Sequence, residues 1–226
     1  NYFHLPDCET LPYDVFSPHQ DIVSERLKTL YQLQNIQAGD ILLLPVTTLL
    51  QKLTPRKYIS DSVLIFKPGQ KLDTHEFRTN LESAGYSYVS QVMEHGEFTV
   101  RVSIIDIFPS VSTTPFRIDL FDDEIESIRE FDPGNQRSDK KIEAIELLPA
   151  REFPTDKDGI QLFRENYRQQ ITGDPLKSII YSNISDGLIP TGIEYYLPLF
   201  FNPLETTFDY LPDGSLFIQP DNLDQI

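Results

Sequence analysis

The sequence has no tryptophan, and its 226 residues include one cysteine and one methionine. Cys8 therefore has no partner for an internal disulfide, which is typical of the reducing cytosol. The longest apolar run, residues 41–44, ends at Pro45 and is far shorter than the about 20 residues that cross a membrane. We therefore expect a cytoplasmic protein without a membrane partner. Because the sequence begins at Asn1 rather than methionine, it reads as a piece of a longer protein.

Basic residues are also scarce. Lys and Arg total 19 against 35 Asp and Glu, which gives a formal net charge of -16. Proteins that bind nucleic acid or anionic lipid need Lys and Arg to contact phosphate groups, so this balance argues against both partners. Hydrophobic residues make up 39% of the chain, which is typical of a folded globular protein.

The motifs of common catalytic sites are missing. Residues 69–71 lack the first glycine and the Ser or Thr of a phosphate-binding loop. The four histidines have no metal-ligand spacing to one another or to Cys8. The acidic stretch 120–124 resembles a strand that ends in magnesium ligands, but without a phosphate loop it is more typical of a solvated strand end. We predict no catalytic residue, no cofactor and no metal site.

The first predicted domain covers residues 1–62 and has an α/β pattern. Ser17 is a candidate N-cap for a helix over 17–33, because Pro18 and Gln20 follow it at favourable positions. Residues 41–44 predict a strand buried on both faces. A further helix is predicted over 46–53.

The middle domain is predicted over residues 63–150 and has an α+β pattern. A short strand at 63–66 precedes a helix that Asp73 caps and Gly85 ends. Strands then dominate 86–148. The third predicted domain, 151–226, returns to α/β, with a helix from Thr155 to 170, a helix over 174–187 and a last strand at 216–219.

Alternating side chains in the middle domain predict an outward face. In a single strand over 98–108 the even positions are apolar, so Arg101 faces the other way. In the next strand Arg117 and Phe121 alternate with apolar residues and also point outward. A phenylalanine beside arginines has the composition of a binding hot spot. The residues alone leave a second interpretation open, in which Phe121 folds back onto the end of the core.

Several segments together resemble one known family. These segments include Glu9 to Asp14, Phe16 to Asp21, Gln91 to Glu97, Ile105 to Pro109, Phe121 to Ile125, Glu152 to Lys157 and Gly192 to Tyr196. In this order they are similar to the N-terminal, UvrB-like module of bacterial transcription-repair coupling factors, the Mfd family. The similarity extends over nearly the whole chain.

The resemblance implies a helicase-remnant α/β domain, with parts called 1A and 1B, and an inserted α+β domain 2. It implies a non-catalytic adaptor whose domain 2 binds the excision-repair protein UvrA. The C-terminal region of the parent protein would cover that surface in the resting molecule. The full-length parent would be an ATP-dependent DNA translocase, with RNA polymerase and DNA bound only by its other domains.

The family's binding residues correspond to Arg101, Arg117 and Phe121. Val102 departs from the family, which usually has glycine there. UvrB carries a long DNA-binding hairpin after its Tyr-Asp segment, whereas Tyr13 here leaves no room for one before the helix at Pro18. We therefore expect no clamping of DNA.

One alternative function is a nucleotide-dependent helicase-like domain whose phosphate loop lies outside this sequence. Another is a scaffold domain without a partner of its own. The missing motor motifs argue against the first alternative, and the outward Arg and Phe residues argue against the second.

Overall fold

The computed structural model describes residues 1–11 and 14–219 and has a mixed α/β architecture. Tyr13, where the missing hairpin was inferred, lies outside the described residues. The described strands are β1 Tyr2–His4, β2 Ile41–Leu43, β3 Leu64–Phe66, β4 Ser87–Tyr88, β5 Glu97–Val100, β6 Ile104–Phe108, β7 Phe116–Phe121, β8 Glu124–Phe131, β9 Ser138–Ile142 and β10 Ile145–Leu147. The described α-helices are α1 Gln20–Leu33, α2 Val46–Leu49, α3 Arg56–Asp61, α4 Thr74–Ser83, α5 Lys157–Gln170, α6 Ile179–Ser185 and α7 Thr207–Tyr210, and the 3₁₀ segments are Pro175–Lys177 and Ile193–Leu199.

Helix α1 begins three residues later than predicted. His19 is its N-cap, with a ring nitrogen that accepts a hydrogen bond from the Asp21 amide. The predicted cap, Ser17, instead donates its hydroxyl to Glu194 at 2.8 Å. The sequence pattern for a cap was present, but a contact with a residue far along the chain uses that side chain.

The expectation that β2 is buried on both faces is wrong. Among the described residues β2 pairs with β1 in parallel, and Ile41 and Leu43 are 50% and 67% exposed. The helix predicted over 46–53 is the single turn α2, and a separate helix, α3, follows it. Short apolar runs do not distinguish these outcomes, because strand and helix segments of this length have similar composition.

Helix α4 forms where the sequence predicts it. The Asp73 side chain accepts hydrogen bonds from the amides of His75 and Glu76. Gly85 has φ 86°, a left-handed conformation that ends the helix. Phe77 is among the residues by which α4 packs on the middle sheet.

The middle sheet has six strands in the order β4-β5-β6-β7-β8-β9. All neighbours are antiparallel except β4 and β5, which are parallel. A separate antiparallel pair, β3 with β10, joins the beginning and the end of this region. The prediction of a helix followed by neighbouring strands is confirmed for these residues.

The single strand predicted over 98–108 is wrong. The chain turns at 101–103, where the Arg101 amide donates to the carbonyl of Ile104 at 2.8 Å. Phe98 faces the core from β5, whereas Ile105 faces it from β6. The alternation therefore changes phase at the turn, and Val102 is fully exposed at 100% rather than part of an apolar face.

The third region differs from prediction at its ends. Asp156, rather than Thr155, caps α5 by accepting from the Gly159 amide at 2.8 Å. The helix predicted over 174–187 is a 3₁₀ turn followed by α6. Residues 216–219 form no strand.

Buried side chains form separate clusters along the chain. One lies between α4 and the middle sheet, and another packs α5 and α6 around Phe163 and Phe200. A third surrounds Leu30 and includes Leu148 and Tyr210 from later in the chain. The boundaries 1–62, 63–150 and 151–226 remain predictions. Within residues 1–11 and 14–219, no helix is both long and apolar enough to cross a membrane.

Candidate protein-binding face

The middle sheet presents two chemically different faces. Ile118 and Leu120 of β7 turn toward α4 and belong to the buried cluster. The intervening residues Arg117, Asp119 and Phe121 turn to the opposite side, because neighbouring side chains on a strand alternate between faces. We call this opposite side the outer face.

Phe121 lies at the end of β7 and is 76% exposed. It pairs with Glu124 across a tight turn in which Asp122 has φ 59°. Aspartate tolerates this left-handed conformation better than most residues. The interpretation that Phe121 folds back as a core residue is therefore wrong, and its ring is available at the surface.

The backbone around Phe121 is held from both sides. On one side the Leu120 amide donates to Ser103 at 2.9 Å. On the other side the Leu72 amide donates to the Asp123 carbonyl at 2.7 Å, and Lys71 forms an ion pair with the Asp123 carboxylate at 2.8 Å. This lysine keeps the pKa of Asp123 below its usual value. The exposed ring thus stands on a well-ordered turn, as expected of an interface anchor.

Arg101 lies in the turn between β5 and β6 and is exposed. The same turn contains Ser103, which accepts the hydrogen bond from Leu120. Arg101 and Phe121 therefore belong to adjacent turns at one end of the sheet. The expectation that Arg101 faces outward agrees with its exposure, although it lies in a turn rather than in a strand.

Arg117 points to the outer face, as predicted, but its side chain is mostly buried there. Its Nε and Nη2 donate to the two oxygens of Asp106 at 2.6 and 2.8 Å, and Nη1 donates to the carbonyl of Gln136 at 3.1 Å. Its guanidinium also lies 4.9 Å from the ring centre of Phe131. Asp106 is completely buried, and its hydrogen bonds raise the pKa of Arg117. All three guanidinium nitrogens of Arg117 therefore donate within the chain, and only 14% of the side chain is exposed although strand alternation places it on the outer face.

A second charged pair on the outer face was not identified from the sequence. Arg129 on β8 lies directly opposite Arg117 in the strand register. Its Nε and Nη2 both donate to Oδ2 of Asp119, at 3.0 and 2.6 Å. The alternation around the buried Ile128 could have placed Arg129 outward, had β8 been aligned with β7.

A separate cavity of about 480 Å³ lies where residues 17–26, 150–153 and 189–198 meet. Arg151 and Glu194 line this cavity, and Nη1 of Arg151 lies 3.9 Å from Oε1 of Glu194, which is too long for a hydrogen bond. Burial raises the pKa of the Glu194 carboxyl and lowers the pKa of Arg151, so desolvation outweighs their attraction. Within the described part of the chain, no group of three or more His, Cys, Asp or Glu side chains could hold a metal ion.

The histidines differ in their surroundings. His19 is exposed and caps α1. The side chain of His95, in contrast, is only 23% exposed. Its ring nitrogens contact the Asp21 carboxylate at 3.0 Å and the Ser112 carbonyl at 2.7 Å. His95 is therefore a structural contact between α1 and the middle region.

Comparison with known families defines the class of the middle region. Residues 64–153 match the family model of the UvrB interaction domain. This range includes α4, the six-stranded sheet and the whole outer face.

Comparison with individual proteins extends the similarity to nearly the whole chain. The chain is 51% identical over 221 residues to the transcription-repair-coupling factor of Haemophilus influenzae, and 50% identical over 224 residues to that of Escherichia coli. These alignments cover 96% and 98% of this chain but 19% of each relative. The Myxococcus xanthus protein of the same name is 34% identical, over 93% of this chain and 18% of its own length. The chain belongs to the transcription-repair-coupling factor family and carries its UvrB-like interaction region, as the sequence motifs predict.

Proposed function

We propose that this chain is a non-catalytic adaptor that recruits UvrA through the outer face of its middle domain. Arg101, Arg117 and Phe121 are the proposed contact residues. The observation that carries the proposal is Phe121, a large apolar ring that is 76% exposed on a turn fixed by hydrogen bonds on both sides. Exposed aromatic anchors beside arginines dominate the energy of many protein interfaces.

The structure supports different roles for the three residues. Phe121 would enter a pocket on the partner, and Arg101 would supply an exposed cation beside it. Arg117 would reach the partner through its small exposed edge while Asp106 holds the rest of its guanidinium. Such preorganisation lowers the entropy lost on binding.

The remaining parts of the proposal come from the family. In the whole protein, this face would be covered by the C-terminal region until the molecule engages stalled RNA polymerase. DNA and polymerase would bind other domains, and the parent would be an ATP-dependent translocase. The helicase-like alternative for this chain is not favoured, because the family model that matches is an interaction domain and the sequence has no phosphate loop.

Affinity of the chain for purified UvrA tests the proposal directly. We expect a saturable complex for the wild-type chain, and about ten- to a hundredfold weaker binding for Arg101→Ala, which corresponds to about 1–3 kcal/mol. Arg78→Ala is a matched control, because Arg78 is also exposed but lies on α4, against the other face of the sheet. Wild-type chain that fails to bind UvrA would refute the proposal.

A further inference from the structure

Arg129 is the more accessible of the two strand arginines on the outer face. Its side chain is 35% exposed, compared with 14% for Arg117. Asp119 lies between Arg117 and Phe121 on β7 and binds the guanidinium of Arg129. The guanidinium of Arg129 therefore lies beside these β7 side chains on the outer face. It is therefore placed within the proposed contact surface rather than beside it.

The hydrogen bonds of Arg129 leave part of its guanidinium unused. A guanidinium has five N–H donors. Nε and Nη2 converge on one oxygen of Asp119, which also accepts from the Ser127 hydroxyl at 2.8 Å. Among the described residues Nη1 of Arg129 has no acceptor, whereas Nη1 of Arg117 donates to Gln136. The two arginines differ in this respect although they face each other across the strands.

A partner that contacts both Phe121 and Arg117 must also cover Arg129. Arg117 and Phe121 are four positions apart along β7, a distance of about 13 Å in an extended strand. A docked surface of that breadth removes water from the guanidinium between them. A buried N–H without an acceptor is unfavourable, so the partner has to supply one.

We propose that Arg129 is a further partner-binding residue, and that Nη1 donates to a carboxylate or carbonyl oxygen of the docked protein. This inference rests on the proposed function, since it assumes that UvrA covers the outer face. Asp119 has a positioning role in it, because its Oδ2 fixes the direction of the guanidinium.

Binding of purified UvrA to Arg129→Ala, Arg129→Lys and Asp119→Ala tests the inference. We expect about tenfold weaker binding for Arg129→Ala and a smaller loss for Arg129→Lys, which keeps the charge but lacks the planar fork. Asp119→Ala breaks the same ion pair but keeps Nη1, so its loss is expected to be clearly smaller than that of Arg129→Ala. Melting temperatures of all variants show how much of each change is due to folding.

Two results would overturn the inference. One is wild-type affinity for Arg129→Ala under conditions in which Phe121→Ala prevents binding, which would leave the proposed function intact. The other is an equal loss in Arg129→Ala and Asp119→Ala, which would show that only the structural pair matters. If UvrA binds neither the wild-type chain nor any variant, the proposed function itself is wrong.

Discussion

Arginine–carboxylate pairs occur in two different settings in this molecule. At the junction of the chain segments, Arg26 is 2% exposed and donates to Glu152 at 2.5 and 3.2 Å and to the Pro6 carbonyl at 2.7 Å. On the outer face, the pair of Arg129 and Asp119 is 35% and 15% exposed. All three guanidinium nitrogens of Arg26 donate to acceptors within the chain, whereas Nη1 of Arg129 has no acceptor among the described residues. Arg26 therefore serves only to stabilise the fold, whereas Arg129 can also donate a hydrogen bond to a partner protein.

The largest expected effect on stability concerns the pair of Arg26 and Glu152. Arg26→Met removes three donors and leaves the Glu152 carboxylate, which is only 12% exposed, without its cation. We expect a loss of about 3–5 kcal/mol in the free energy of unfolding, measured by urea denaturation. UvrA affinity of the folded fraction should not change, because Arg26 bonds to Glu152 and Pro6 and not to residues of the outer face. Wild-type stability in this variant would contradict the structural role.

Arg117→Ala should lower both the stability of the fold and the affinity for UvrA, with a stability loss smaller than that of Arg26→Met. The change leaves the buried carboxylate of Asp106 without the two guanidinium donors of Arg117. We expect a loss of about 2 kcal/mol in stability, together with weaker UvrA binding. An alanine substitution at a fully exposed position, in contrast, usually changes stability by about 0.5 kcal/mol or less. A double substitution with Asp106→Ala is the control, and it should recover part of the lost stability.

The smallest expected effect concerns Glu194 and its dependence on pH. Burial raises its pKa from the ordinary value of 4.5, so ionisation is less favourable in the folded than in the unfolded chain. The contribution to stability is therefore fully present below pH 4.5 and is lost as the pH rises through the folded pKa. Glu194→Gln should melt a few degrees higher than wild type at pH 7, and the difference should shrink toward pH 4.5. A difference that grows on acidification would contradict the assignment.

Local signals in the sequence predicted part of this architecture. The cap at Asp73 and the stop at Gly85 bounded α4 correctly, because both act through neighbouring residues. The alternation in β7 correctly placed Phe121 outward. Such signals need no knowledge of the rest of the fold.

The sequence predictions were wrong or incomplete where a side chain bonds to a residue far away in the sequence. Ser17 bonds to Glu194 rather than capping α1. The occupied guanidinium of Arg117 depends on Asp106 of the neighbouring strand, and the place of Arg129 depends on the register between β7 and β8. None of these pairings can be read from local periodicity, which gives the face of a side chain but not its partner.

The central claim is that Phe121 anchors UvrA without stabilising the fold. The most direct test is to measure UvrA affinity and melting temperature together for the wild-type chain and Phe121→Ala. We expect binding to weaken by about 1–3 kcal/mol, with stability unchanged to within about 0.5 kcal/mol. A sharp fall in melting temperature with undiminished binding by the folded fraction would contradict the account, because Phe121 would then belong to the core rather than to the interface.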